Sequence, residues 1–154
     1  MPFSILQKTF WDIDPEVLTG LDGGKDLRQW FGFSTKFHDD EIVAATFEDG
    51  DAKLIVGAFR MTSEVDENGF YVQDCQATVT IELRDVTGAA LEGKFPTQIL
   101  EMGFREVVSQ EQLPSNSLAE IGDIELAFDD VYGGGGSIFA KSARVSFEPS
   151  EITE

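Results

Sequence analysis

The stretch Gln76 to Arg84, QATVTIELR, decides the fold. Ala77, Val79, Ile81 and Leu83 fall on one side of an extended chain, and Thr78, Thr80 and Glu82 on the other. A period of two with β-branched residues on both faces is the mark of a half-buried strand. The same period continues on both sides of this stretch. Ile124, Leu126 and Phe128 alternate with Glu125, Ala127 and Asp129. Phe139, Ala143, Val145 and Phe147 read as one face, with Lys141 as the odd member. Ile42 to Phe47 and Lys53 to Met61 are apolar on both faces, which reads as central strands.

Turn chemistry separates these runs. Glu48-Asp49-Gly50-Asp51 holds Asp-Gly, the strongest short hairpin signal. Asp66-Glu67-Asn68-Gly69 holds Asn-Gly, and Thr87-Gly88 is a weaker turn. Pro114 to Ser117 marks a longer loop, and Gly133 to Gly136 reads as a flexible loop before the last strand. Before the strands, Asp14-Pro15-Glu16 starts a helix that Gly20 ends. Asp22-Gly23-Gly24 makes a turn, and Lys25 to Phe31 is a second short helix or an irregular segment. Trp11, Trp30, Phe31 and Phe33 make this segment a cap over an open end of a sheet. The expected fold is mainly β: a single domain over 1–154, with an aromatic, helical or irregular segment at 1–36, an antiparallel core at 37–148 curled into a sandwich or partial barrel, and a tail at 149–154.

Composition narrows the function. The 154 residues hold 13 phenylalanines and are 42% hydrophobic, enough for a packed core. Asp plus Glu number 29 against 11 Lys plus Arg, so the formal net charge is −18. Such a surface repels phosphates and anionic lipid and favours basic protein partners or divalent cations. Neither nucleic acid nor membrane is therefore expected. Cys75 is the only cysteine, which fits a reducing cytoplasm. MPFSILQKTFWDID has neither a basic leader nor a long apolar run, so the expectation is a cytoplasmic protein.

His38, the only histidine, precedes Asp39, Asp40 and Glu41. Metal phosphohydrolases built on a His-Asp pair need further histidines, and zinc sites generally need two or three nitrogen or sulfur ligands. A serine triad has no Gly-x-Ser-x-Gly elbow to support it. Asp12, Asp14 and Glu16 have the first spacing of a calcium loop, but Val17 stands where such a loop needs glycine. The four glycines lack both dinucleotide and Walker spacing. No catalytic, cofactor-binding or metal-ligating residue is assigned. His38 and Asp39 are read as structural groups that hydrogen-bond the backbone where the strand at Glu41 begins.

Four pieces in order, FHDDEIVAATFEDGDAKLIVGAF, MTSEVDENGFYV, ATVTIELRDV and IELAFDDVYGGGGSIFAKSARVSF, carry a family resemblance over Phe37 to Phe147. The pattern resembles small bacterial proteins grouped as predicted immunity proteins of polymorphic-toxin systems. The resemblance implies a protein that neutralises a toxin by tight binding; it assigns no contact residue. The expectation is a non-catalytic acidic protein that binds a basic protein partner. Asp49, Asp51, Asp66, Glu67, Asp129 and Asp130 would present its carboxylates at loop tips. The alternatives are a small β-barrel that binds or transforms an apolar small molecule, and a structural component of a larger assembly.

Overall fold

The computed structural model describes residues 15–31, 37, 40–69, 71–113 and 117–150. Two short helices, α1 (Pro15–Gly20) and α2 (Gly24–Phe31), precede the strands. The strands are β1 (Glu41–Glu48), β2 (Asp51–Val65), β3 (Tyr71–Glu92), β4 (Thr97–Glu106), β5 (Ile124–Asp130) and β6 (Gly135–Ser150). All pair antiparallel and close into a barrel in the order β1-β2-β3-β6-β5-β4. Closure is thin: β1 meets β4 only through Glu41 with Gln98 and Ile42 with Thr97.

The period-two reading places most of the core. Val79, Ile81, Leu83, Leu126, Phe128 and Val145 are buried, and Ile124, Ala143 and Phe147 pack against them. Leu54, Val56 and Ala58 of β2 and Ile99, Met102 and Phe104 of β4 complete the interior. The helices lie against β4, β6 and β2, and insert Leu18 and Leu27 into the same cluster. Trp30 packs on Phe147 with ring centroids 5.7 Å apart. This part of the aromatic segment caps the barrel as expected; Trp11 and Phe33 lie outside the described residues.

Several local readings are corrected. Thr87-Gly88 is not a turn but lies inside β3, which runs 22 residues without a break. A register shift against β6 sits there, and Asp85 just before it has φ +55. The Asp85 and Val86 amides donate to Asp51 Oδ1 (3.0 Å) and the Gly50 carbonyl (2.8 Å). A bulge in the long strand thus bends it around the barrel instead of reversing it. Around Asp85 the inward set changes phase on both strands together, from Leu83 to Val86 on β3 and from Ala143 to Ala140 on β6, just before the register shift. Phe139 therefore leaves the stripe assigned to it and packs outside the barrel with Val107, Ala119 and Leu113. Lys141 is no intruder on an apolar face, because the phase shifts beside it.

Gly135 and Gly136 already belong to β6, so only Gly133 and Gly134 form the expected loop. A Cβ on Gly136 would lie 1.9 Å from the Ala90 carbonyl oxygen, and one on Gly135 2.3 Å from that of Phe128. The glycines let three backbones approach closely. Finally, β2 is central as expected, but β1 is not. Val43 is 46% exposed and Phe47 51% exposed. Beyond Ile42, β1 has a strand on one side only among the described residues.

Candidate interaction surface

The acids expected to present carboxylates at loop tips are separated by the fold. Asp49 and Gly50 form a two-residue hairpin turn between Glu48 and Asp51, with φ +54 and +82. Both central residues being left-handed is the geometry that matches strand twist in a hairpin. Asp49 is exposed, while Asp51 is half-buried and holds the Asp85 amide. Asp66 and Glu67 are exposed at the other end of β2, where Asp66 Oδ1 accepts the Asn68 amide at 2.8 Å. Fourteen steps along β2 span roughly 45 Å of strand, so the two turns cannot share a small contact.

Asp129 and Asp130 differ more sharply from expectation. Asp130 is 5% exposed. Its Oδ1 accepts the Tyr132 and Gly134 amides (2.9 and 2.7 Å), and its Oδ2 accepts the Thr97 hydroxyl at 2.9 Å. It ties the β5–β6 turn to the start of β4 and offers no carboxylate to a partner. Half-buried Asp129 has its pKa raised by burial, and further by the charge of Asp130.

His38 and Asp39 lie outside the described residues. Their neighbour Asp40, which is 2% exposed, makes hydrogen bonds at the start of the strand. Its Oδ1 accepts the Phe59 amide at 3.1 Å, its carbonyl the Ile99 amide at 2.7 Å, and its own amide donates to Phe37 O at 3.0 Å. Asp40 thus joins β2 and β4 where the barrel closes.

Two polar groups of the outer face went unread. Arg105 Nε donates to Glu125 Oε1 and Ser137 Oγ to Glu125 Oε2, each at 2.6 Å, and all three side chains are buried. Asp123 takes Lys141 Nζ (2.8 Å), the Thr87 hydroxyl (2.8 Å) and the Glu120 amide (2.9 Å). Burial pushes the Asp123 pKa up, but these hydrogen bonds and the Lys141 charge outweigh it and hold it below 3.8. Lys141 is raised in turn, first by its hydrogen bond to Asp123. The one signal in the sequence was a lone lysine in an apparently apolar stripe.

The hairpin between β1 and β2 leaves a polar groove lined by Thr46, Glu48, Asp49, Asp51, Lys53, Glu82 and Arg84. Arg84 (3.5 Å) and Arg144 (3.2 Å) pair with Glu82 and offset its charge. Glu48 and Asp49 stand exposed at the tip. The groove is an electrostatic surface, negative at the hairpin and balanced toward β6. Among the described residues, no group of three or more His, Cys, Asp or Glu side chains could hold a metal ion. No helix among them is long and apolar enough to cross a membrane. Comparison with protein-family models, curated proteins and solved structures gives no match.

Proposed function

We propose that the protein is a non-catalytic, acidic binding protein whose partner is a basic protein, and that it acts in the cytoplasm by masking that partner's surface. The immunity-protein resemblance makes a toxin the partner class. The observation that carries the reading is the exposed acidic hairpin, Glu48-Asp49, on a chain of net charge −18. Charge of this kind steers encounter with a basic surface and adds specificity. The small-molecule reading has less behind it, because Leu54, Ile81, Leu83, Met102, Phe104 and Leu126 are buried in one apolar cluster among the described residues.

The test is capture of a partner from the source cell at low salt, followed by association kinetics at two salt concentrations. Raising ionic strength from about 0.05 M to about 0.5 M should slow association at least tenfold, since screening cuts the Debye length severalfold. An association rate indifferent to salt, or capture of an apolar small molecule in place of a protein, overturns the reading.

A further inference from the structure

We propose that the free edge of β1 receives an extended basic segment of the partner as an additional antiparallel strand. This rests on the basic-partner reading above and names where such a partner binds.

The register fixes which groups are available. In a two-residue hairpin the residues flanking the loop bond each other, and bonded pairs recur at every second position. Glu48, Thr46 and Ala44, opposite Asp51, Lys53 and Ile55, therefore direct their amides and carbonyls at β2. Phe47 and Ala45 direct theirs away. Among the described residues, no backbone hydrogen bond reaches Val43 to Glu48 from any strand but β2. A row of unpaired amides and carbonyls is a template for another strand.

Side chains state what that strand must carry. Phe47 lies on the barrel face opposite buried Ala52 and is still 51% exposed, so an apolar side chain beside it would bury its ring. On the outer face, Glu48 and the neighbouring Asp49 and Glu41 set exposed carboxylates near both ends of the edge. The fitting occupant alternates basic and apolar residues. A second copy fits poorly: symmetric pairing about Ala45 would set Glu41 against Asp49 twice, between molecules of net charge −18. Like charges directly opposite are destabilising.

The probe is a capped hexapeptide of alternating arginine and valine, with a glutamate–valine hexapeptide as control. Hydrogen exchange at Ala45 and Phe47 should slow at least about tenfold on binding, while Ala44 and Thr46, already bonded to β2, change little. Phe47→Pro removes an outward amide that β2 does not use, a position where an edge strand tolerates proline. It should melt as the wild type does and bind the arginine peptide at least tenfold more weakly. Phe47→Ala keeps the backbone unchanged and should weaken binding severalfold through the lost ring, which covers the case of a proline variant that misfolds. Salt-sensitive binding that both variants retain, with protection elsewhere, overturns the edge site and spares the basic-partner reading. Failure of the arginine peptide to bind, or equal binding of the glutamate peptide, overturns both. A dimer sensitive to Phe47→Pro would assign the edge to a second copy and overturn this proposal.

Discussion

Two groups of carboxylates in the barrel are used in opposite ways. On the β4–β5–β6 side, Glu125, Asp123 and Asp130 are buried and spend their oxygens on the chain itself. On the β1–β2 side, Glu48 and Asp49 are exposed at a hairpin whose strand edge is open. The difference shows that net charge is a poor guide to a binding surface in this molecule. A carboxylate counts toward recognition only where the fold has left it without an internal task.

The sharpest way to break this contrast is to remove one acid from each side. Glu125→Ala should cost about 3–5 kcal/mol, because it takes a buried partner from Arg105 and Ser137. Denaturant unfolding measures it, and a loss under about 1 kcal/mol would mean the buried pair adds nothing a packed core would lack. Close behind comes an aromatic pair. Phe128→Ala should cost about 3–5 kcal/mol, as for other buried phenylalanines. It is 4% exposed and packs on Phe95 at 6.2 Å. Phe47→Ala, on the open edge, should cost less than about 1 kcal/mol. Equal losses at the two positions would show that Phe47 belongs to the core.

These pairs also show how far the sequence could be read. The strand at Gln76 to Arg84 was legible because one of its faces is buried throughout, which imposes alternation. The first capping helix was legible from Asp14-Pro15 and Gly20, while the second, Gly24–Phe31, read equally well as an irregular segment. The phase change near Asp85 was not, since a bulge depends on the neighbouring hairpin supplying Asp51 and Gly50 as partners. Nor was the open edge of β1: an apolar run reads as central whether or not a strand arrives on its far side. The acids were hardest. Asp49 and Asp130 both sit at Asp-containing turns, and only the register decides that one faces solvent and the other holds Thr97 and Gly134.

Acid titration separates the internal acids further, with opposite signs. Asp123 has a depressed folded pKa, so its stabilisation is fully present above the unfolded value near 3.8 and is lost as pH falls through the lower folded value. Asp129 has a raised folded pKa, from burial first and Asp130 second. Its contribution is fully present below 3.8 and is lost as pH rises through the raised value. Asp123→Asn should therefore destabilise the protein at neutral pH and flatten its acid limb. Asp129→Asn should stabilise it slightly at neutral pH, with the gain gone in acid. Unfolding free energies measured from neutrality into acid well below 3.8 decide both. The same sign for the two variants would contradict the arrangements around Asp123, just before β5, and Asp129, near its end.

The smallest expected change in stability belongs to Asp49→Asn, and it is the most informative about function. Asparagine tolerates the left-handed backbone that Asp49 adopts at φ +54, so the hairpin should hold and stability should change by no more than about 0.5 kcal/mol. Asp51 is a worse choice, because its carboxylate also holds the Asp85 amide at 3.0 Å. Neutralising Asp49 removes an exposed charge at the hairpin tip and nothing else. If that tip steers a basic partner, the association rate should fall about twofold to fivefold at low ionic strength, with dissociation nearly unchanged. The difference should close as salt rises. Glu67→Gln, at the far end of β2, should change the rate less, because roughly 45 Å of strand separates it from the hairpin tip, several Debye lengths at about 0.1 M salt. Equal slowing by both variants would mean that the whole negative surface attracts the partner, and that the hairpin has no special part in it.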